Sequence, residues 1–256
     1  MSLSDEELER YARHIVLPQL GGVGQQRLKA ASIAVVGAGG IGSAVIPALA
    51  GAGIGNLTII DCDEVELANL HRQPLFGEKD EGKSKAGLAA QFVKRLNRFV
   101  AVNPKDERIG AENASGLIEG HDLVIDGSDN FATRLAVSDT SVLLGIPLIS
   151  AAAVQFQGQV GLFGRQPCYR CFVGDAFDAD DCDTCAELGV LGALTAAVGS
   201  FAALLAINRI VGIGEDQAGF LHLFDGEKLS WRRIRIPADP ACRTCSSRPS
   251  ATPRRN

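Results

Sequence analysis

The stretch Ser32-Ile33-Ala34-Val35-Val36-Gly37-Ala38-Gly39-Gly40-Ile41-Gly42 opens on an apolar, partly β-branched run and closes on a cluster of glycines. A run that is apolar on both alternating faces reads as a buried strand, here over residues 32–37. Small and aliphatic side chains over residues 40–51 then read as a helix, and NLTIID over residues 56–61 as a second buried strand. The product is one βαβ unit with a tight first turn, in which Gly37, Gly39 and Gly42 satisfy G-x-G-x-x-G between strand and helix. Backbone amides and the helix N-terminus are free there, so Gly37, Gly39, Gly40 and Gly42 are expected to cradle a phosphate. Asp61 ends the second strand about 20 residues on, where a carboxylate accepts hydrogen bonds from ribose hydroxyls. These features serve ATP and NAD equally, since both carry a phosphate and an adenosine ribose.

Further along, residues 84–100 read as a helix, 122–126 as a strand, 130–144 as a helix and 147–150 as a strand. Strands alternating with helices imply a doubly wound, Rossmann-like α/β fold with a mainly parallel sheet. Beyond residue 155 the strand-like stretches 159–163, 220–224 and 229–236 are separated by turns and cysteine pairs, which predicts a partly antiparallel C-terminal section. At the other end, Ser4-Asp5-Glu6-Glu7 has the spacing of a capping box, and Leu8, Tyr11 and Ile15 recur at helical intervals. The expected organisation is one domain over residues 1–245, with a helical arm at 1–30 and a zinc and docking section at 155–245. Residues 79–84 and 177–184 read as mobile loops, and 246–256 as a disordered tail.

Lys and Arg number 25 against 30 Asp and Glu, a net charge of −5 with no basic stripe, so nucleic acid is not an expected partner. The acidic, amphipathic N-terminus has no secretory pattern, which predicts a cytoplasmic chain. Residues 188–207 carry no charge and are long enough to cross a bilayer, which takes about 20 residues, but their Gly and Ala content favours a helix buried against the sheet or a second subunit. Six of the seven cysteines fall in C-x-x-C pairs, which points to metal or thiolate chemistry rather than a disulfide framework. Cys168 and Cys171 could complete a tetrahedral zinc site either with Cys242 and Cys245 or with Cys182 and Cys185.

Asp61-Cys62-Asp63-Glu64-Val65-Glu66-Leu67-Ala68-Asn69-Leu70-His71-Arg72-Gln73 resembles the D-x-D-x-x-x-x-x-N-L-x-R-Q signature of the ubiquitin-activating-enzyme superfamily. Lys85, Asp126-Gly127-Ser128-Asp129-Asn130 and two distant cysteine pairs follow in that family's order, and the resemblance runs from the N-terminal arm to about Cys245. It is closest to the bacterial HesA, MoeB and ThiF type, the adenylyltransferases of molybdopterin and thiamin pathways.

The resemblance implies ATP with Mg2+, and adenylylation of the terminal glycine carboxylate of a ubiquitin-like sulfur-carrier protein ending in Gly-Gly. It implies that Asp61, Asp63, Asn69, Arg72, Lys85, Asp129 and Asn130 surround the nucleotide. Asn69 and Arg72 would touch the phosphates, Lys85 would bridge α- and β-phosphate oxygens, and Asp129 would ligate magnesium, although Asp129 could also begin a helix as its cap. These charges suit the chemistry, because a carboxylate attacking the α-phosphate builds negative charge that Lys85 and Arg72 can stabilise. Arg13, on the N-terminal arm, would reach the partner subunit's nucleotide in a homodimer. The resemblance also favours Zn2+ on Cys168, Cys171, Cys242 and Cys245, and makes Cys185 either a nucleophile acting after the adenylate or a bystander. The short stretch after Cys245 leaves no room for a rhodanese-like domain, so a separate sulfurtransferase or cysteine desulfurase is expected to make the thiocarboxylate. Two rivals stand beside this reading. An NAD-dependent oxidoreductase leaves Asn69 to Gln73 and the knuckles unexplained, and a non-catalytic zinc-containing binding module has no use for Arg72, Lys85 and Asp129 together.

Overall fold

The computed structural model describes residues 2–174 and 188–246. Ser4 begins the arm as the cap of α1 (Asp5–Arg10): its hydroxyl accepts from the Glu7 amide while the Glu7 carboxylate accepts from the Ser4 amide. The helix breaks at Tyr11 and restarts as α2 (Ala12–Ile15), followed by α3 (Gly21–Ala30). Tyr11 is turned into the core, where its hydroxyl accepts a 2.8 Å hydrogen bond from Asn97. The Asn97 amide also donates to the Ala50 carbonyl at 2.7 Å, and Lys29 pairs with buried Glu7 at 2.7 Å.

The sheet follows from the sequence periodicity. Its parallel half contains β1 (Ser32–Val36), β2 (Asn56–Ile60), β3 (Ala101–Lys105), β4 (Leu123–Asp126) and β5 (Leu148–Val154). They are joined by α4 (Gly42–Ala52), α5 (Lys85–Leu96), α6 (Ala114–Ile118) and α7 (Phe131–Leu144). Three antiparallel strands, β6 (Gln157–Phe163), β7 (Phe220–Asp225) and β8 (Ser230–Arg235), extend the same sheet in the order 3-2-1-4-5-6-7-8. A short α8 (Tyr169–Val173) and the long α9 (Gly192–Val211) lie between β6 and β7.

Alternate residues of the central strands feed two separate cores. Ile33, Val35, Leu57 and Ile59 meet α4, α5 and α9 on one face, while Ala34, Val36, Ile60 and Val124 meet α6 and α7 on the other. Both faces are covered, which is why these strands are apolar throughout.

The helix expected over 84–100 stops at Leu96, because Asn97 turns extended to reach Tyr11 and Ala50. β3 has no apolar run to announce it; it is an edge strand, where Pro104 removes no needed hydrogen bond. The loop over 79–84 is tied down, with the Val65 amide donating to Lys83 O at 2.9 Å and Lys83 paired with Asp80 at 3.2 Å. The uncharged 188–207 segment forms α9, packed on α4, β5 and β6, with half of its most apolar window buried. A Cβ at Gly199 would come within 2.6 Å of Ile41 O, so the Gly and Ala content reflects close helix packing. The loop expected over 177–184 and all but the first residue of the tail expected over 246–256 lie outside the described residues.

Candidate active site

The strand order reverses between β1 and β4, and there a cavity of about 200 Å³ opens beyond their carboxyl ends. Ligands of open α/β sheets bind at such a switch point. Gly37 makes the turn with φ +89°, in space that a Cβ would share with the Gly127 and Ser128 backbone at 3.2 Å. Gly42 must lack a side chain altogether, since a Cβ would lie 2.2 Å from Gly37 O. At Gly39 the space is open, with only Gln73 Nε2 at 3.5 Å, so a ligand can approach the backbone there. Ile41, the cap of α4, offers no side-chain oxygen, and the Ser43 and Ala44 amides donate to the Gly39 and Ile41 carbonyls, so any anion at this turn meets the glycine-turn backbone ahead of them.

Asp61 accepts from the Ala38 amide at 2.6 Å and the Asp63 amide at 2.8 Å. Burial raises its carboxyl pKa above the ordinary aspartate value, against the pull of those amides and of Lys85. Lys85, the first residue of α5, is only 4% exposed, and its ammonium meets the exposed Asp63 carboxylate at 3.3 Å. Asn69 does not line the cavity; its Oδ1 accepts from Arg72 Nη2 at 2.6 Å and aims the guanidinium that does. Gln73 is 3% exposed and lines the cavity, and its Oε1 has no partner among the described residues, as a donor-seeking group facing a ligand would.

At the end of β4, Asp126 accepts from the Ser128 amide at 2.9 Å and hydroxyl at 2.7 Å, which fixes the turn carrying Asp129. The cap of α7 is Asn130, whose Oδ1 accepts from the Thr133 amide at 2.9 Å, so Asp129 is not the cap and stays exposed on the cavity wall. The structure thus brings Gly37, Gly39, Gly40, Asp61, Asp63, Arg72, Lys85, Asp129 and Asn130 to one cavity. Gly42 supports it from behind, and Arg13 lies exposed on α2, away from the cavity lining of its own chain.

Sequence reasoning passed over several lining residues. Arg134 donates to Ser150 Oγ and Ala151 O at 3.0 Å each and to Ser128 O, bracing the wall between α7 and β5. Its position four residues after the Asn130 cap was the available signal. Glu107, Arg108 and Ile109 follow the unforeseen β3, Val190 precedes α9, and Thr195 lies in its first turn.

A second cluster lies at the far end of α7. The sulfurs of Cys168, Cys171, Cys242 and Cys245 fall within 4.8 Å of one another. Cys168 is 3.6 Å from Cys242 and 4.0 Å from Cys171, and Cys171 is 3.4 Å from Cys245. Thiolates bound to zinc at about 2.3 Å stand roughly 3.8 Å apart in a tetrahedron, so the donor set and spacing fit that ion. The Asp239 amide adds a hydrogen bond to Cys171 Sγ at 3.4 Å. Cys182 and Cys185 lie outside the described residues.

Sheet order and switch-point cavity place the chain among doubly wound α/β proteins of the nucleotide-binding type. The chain belongs to the ThiF family, whose signature spans residues 11–244. It is 42% identical to a sulfur carrier protein adenylyltransferase of Thermus thermophilus, over 98% of this chain and 95% of that one. It is 40% identical to the adenylyltransferase and sulfurtransferase MOCS3 of Anopheles gambiae, over 98% of this chain and 57% of that longer protein. A crystal structure of E. coli MccB with ATP shares the fold, with a TM-score of 0.81 at 22% identity over 94% of this chain and 75% of that one.

Proposed function

We propose that this protein is an ATP-dependent adenylyltransferase that activates the C-terminal glycine carboxylate of a small ubiquitin-like sulfur-carrier protein, preparing it for thiocarboxylate formation. The observation that carries the reading is the union of two recesses. The switch-point cavity shares Asp129, Arg134, Ala152 and Ala153 with an open groove of about 900 Å³ that reaches Tyr169, Phe172, Leu223 and Arg232. A long groove that ends at a phosphate site suits an extended peptide tail delivering a carboxylate. The family membership and the Thermus relative's name support the same reading.

In this site the amides of the glycine turn and the cations Arg72 and Lys85 offset charge on the phosphates as the carboxylate adds to the α-phosphorus and pyrophosphate leaves. Asp61 receives the ribose hydroxyls. Asp129 would hold Mg2+, which supplies further charge neutralisation when bound; an exposed carboxylate beside phosphate oxygens suits that ion. Zn2+ on the four cysteines is structural. Residues 1–245 act as one cytoplasmic domain, with residues 155–245 docking the carrier.

The working unit is a homodimer. Val16 and Val23 on the arm are 70% and 66% exposed, and Leu204 on α9 is also exposed. Arg27 donates to Val211 O, which sets α3, with Val23, beside the end of α9, so two neighbouring elements form a surface carrying exposed apolar groups. Such a face calls for a partner surface, and pairing through it would free Arg13 to reach the other subunit's nucleotide. The sulfur comes from a separate sulfurtransferase or cysteine desulfurase.

Pyrophosphate exchange with labelled ATP, run with candidate carriers of molybdopterin, thiamin and tRNA-thiolation pathways in turn, tests the proposal. Exchange with one carrier is expected; NAD binding without ATP binding overturns it. Asp61 adds a pH signature. Ribose hydroxyls need the ionised carboxylate, and burial raises its pKa, so ATP affinity should begin to fall on acidification at a higher pH than for an ordinary aspartate. Calorimetry against pH should show that acid limb vanish in Asp61→Asn. Cys185→Ala should keep wild-type exchange whether Cys185 is a nucleophile acting after the adenylate or a bystander, and loss of a thiol-sensitive conjugate by mass spectrometry separates the two.

A further inference from the structure

We propose that Asp139 is the positioning residue that joins the two cysteine knuckles and seats them on α7, fixing both the metal site and one wall of the groove; the groove part rests on the function proposed above. Paired sulfurs of the two knuckles stand 74 residues apart in sequence, so their meeting needs a tertiary device besides the metal. Asp139, in the middle of α7, touches both. Its Oδ1 accepts from Arg170 Nε at 2.8 Å and from Thr244 Oγ1 at 2.9 Å, and its Oδ2 accepts from Arg170 Nη2 at 2.8 Å.

Arg170 lies between Cys168 and Cys171, and Thr244 between Cys242 and Cys245. One carboxylate therefore holds the middle of each knuckle, while the thiolates hold their ends. Arg170 is almost buried, and a two-point guanidinium–carboxylate fork fixes orientation as well as distance. Val142, about one helical turn beyond Asp139, packs against Cys168, Cys242 and Cys245 and completes the seat. The same contact reaches the groove. α8 starts inside the first knuckle, and Tyr169, Phe172 and Val173 on it line the groove on either side of Arg170. At the opposite end of α7, Thr133 and Arg134 line the nucleotide cavity.

Groups that orient metal ligands commonly change metal affinity by about 10- to 100-fold. In the zinc-loaded full chain, Asp139→Ala is expected to release zinc to a chelator about tenfold faster or more, and to narrow the melting gap between loaded and zinc-free protein. Asp139→Asn, which keeps one acceptor oxygen, should fall between, and serves if the alanine variant does not fold. Thr244→Val should have a smaller effect and add nothing to Asp139→Ala. A role in general packing alone would lower both melting points equally and leave the release rate within twofold of wild type, and that result overturns the proposal. At the groove, Asp139→Asn should raise KM for the carrier several-fold while ATP affinity holds; an unchanged carrier KM beside faster zinc release overturns the groove half. If no carrier supports exchange even with wild-type protein, the function proposal fails, and the zinc measurements still decide the role of Asp139.

Discussion

Lys85→Ala is expected to lower carrier-dependent pyrophosphate exchange by about two to three powers of ten, a loss of roughly 2.7–4 kcal/mol of transition-state stabilisation. The ammonium is buried in the cavity wall, and its recorded partner is the exposed carboxylate of Asp63. An ammonium so placed has few other groups to serve, and shedding its hydration is unfavourable to the fold. Alanine should therefore cost little stability. The start of α5 survives the change, because Ser84 still caps it by accepting from the Gly87 amide at 3.2 Å. The expected result is a collapse of exchange with a melting point within a few degrees of wild type. Exchange within tenfold of wild type, in folded protein that binds ATP, would show that the α-phosphate is stabilised elsewhere.

Cys242→Ser is expected to strip the metal and lower stability by about 3 kcal/mol, or roughly 10 °C in melting temperature for a chain of this size. The reasoning is electrostatic. Without a cation, burial and hydrogen bonding to Cys171 push the Cys245 thiol up to about 12 and burial raises that of Cys168, whereas hydrogen bonds bring that of Cys242 down against burial, so the cluster does not hold four thiolates by itself. A divalent ion reverses that preference, and binding it is coupled to folding. Losing one sulfur of four removes that coupling, whereas Cys182→Ser should leave zinc content at about one per chain. If instead replacing Cys182 and Cys185 empties the site and replacing Cys242 does not, the pairing is wrong.

What could be seen in the sequence was what short-range chemistry dictates. The run from Ser32 to Gly42 announced strand, turn and helix because buried strands are apolar on both faces and a phosphate turn tolerates few side chains. The doubly wound sheet with its antiparallel extension followed from the same periodicity, and is the sheet observed. β3 stayed hidden because an edge strand needs neither an apolar run nor every amide, and AVNPK has neither feature to offer. Arg134 and the residues after β3 were missed because their importance arises from packing between elements distant in sequence. The choice between Cys242 with Cys245 and Cys182 with Cys185 depended on topology in the same way, since local spacing is equal in both pairs.

A sheet that does not close on itself leaves two strands with unpaired backbone groups, and other copies of the chain can add to them. Here the two margins are β3 and β8. One carries Pro104 and Lys105, the other Arg232, Arg233 and Arg235. Proline removes a donor and breaks the regular ladder, while three guanidinium groups on a six-residue strand repel an identical strand brought alongside. Proline at one margin and like charge at the other thus oppose growth of the sheet by addition of further copies. Neutralising those arginines would remove that opposition at the β8 margin.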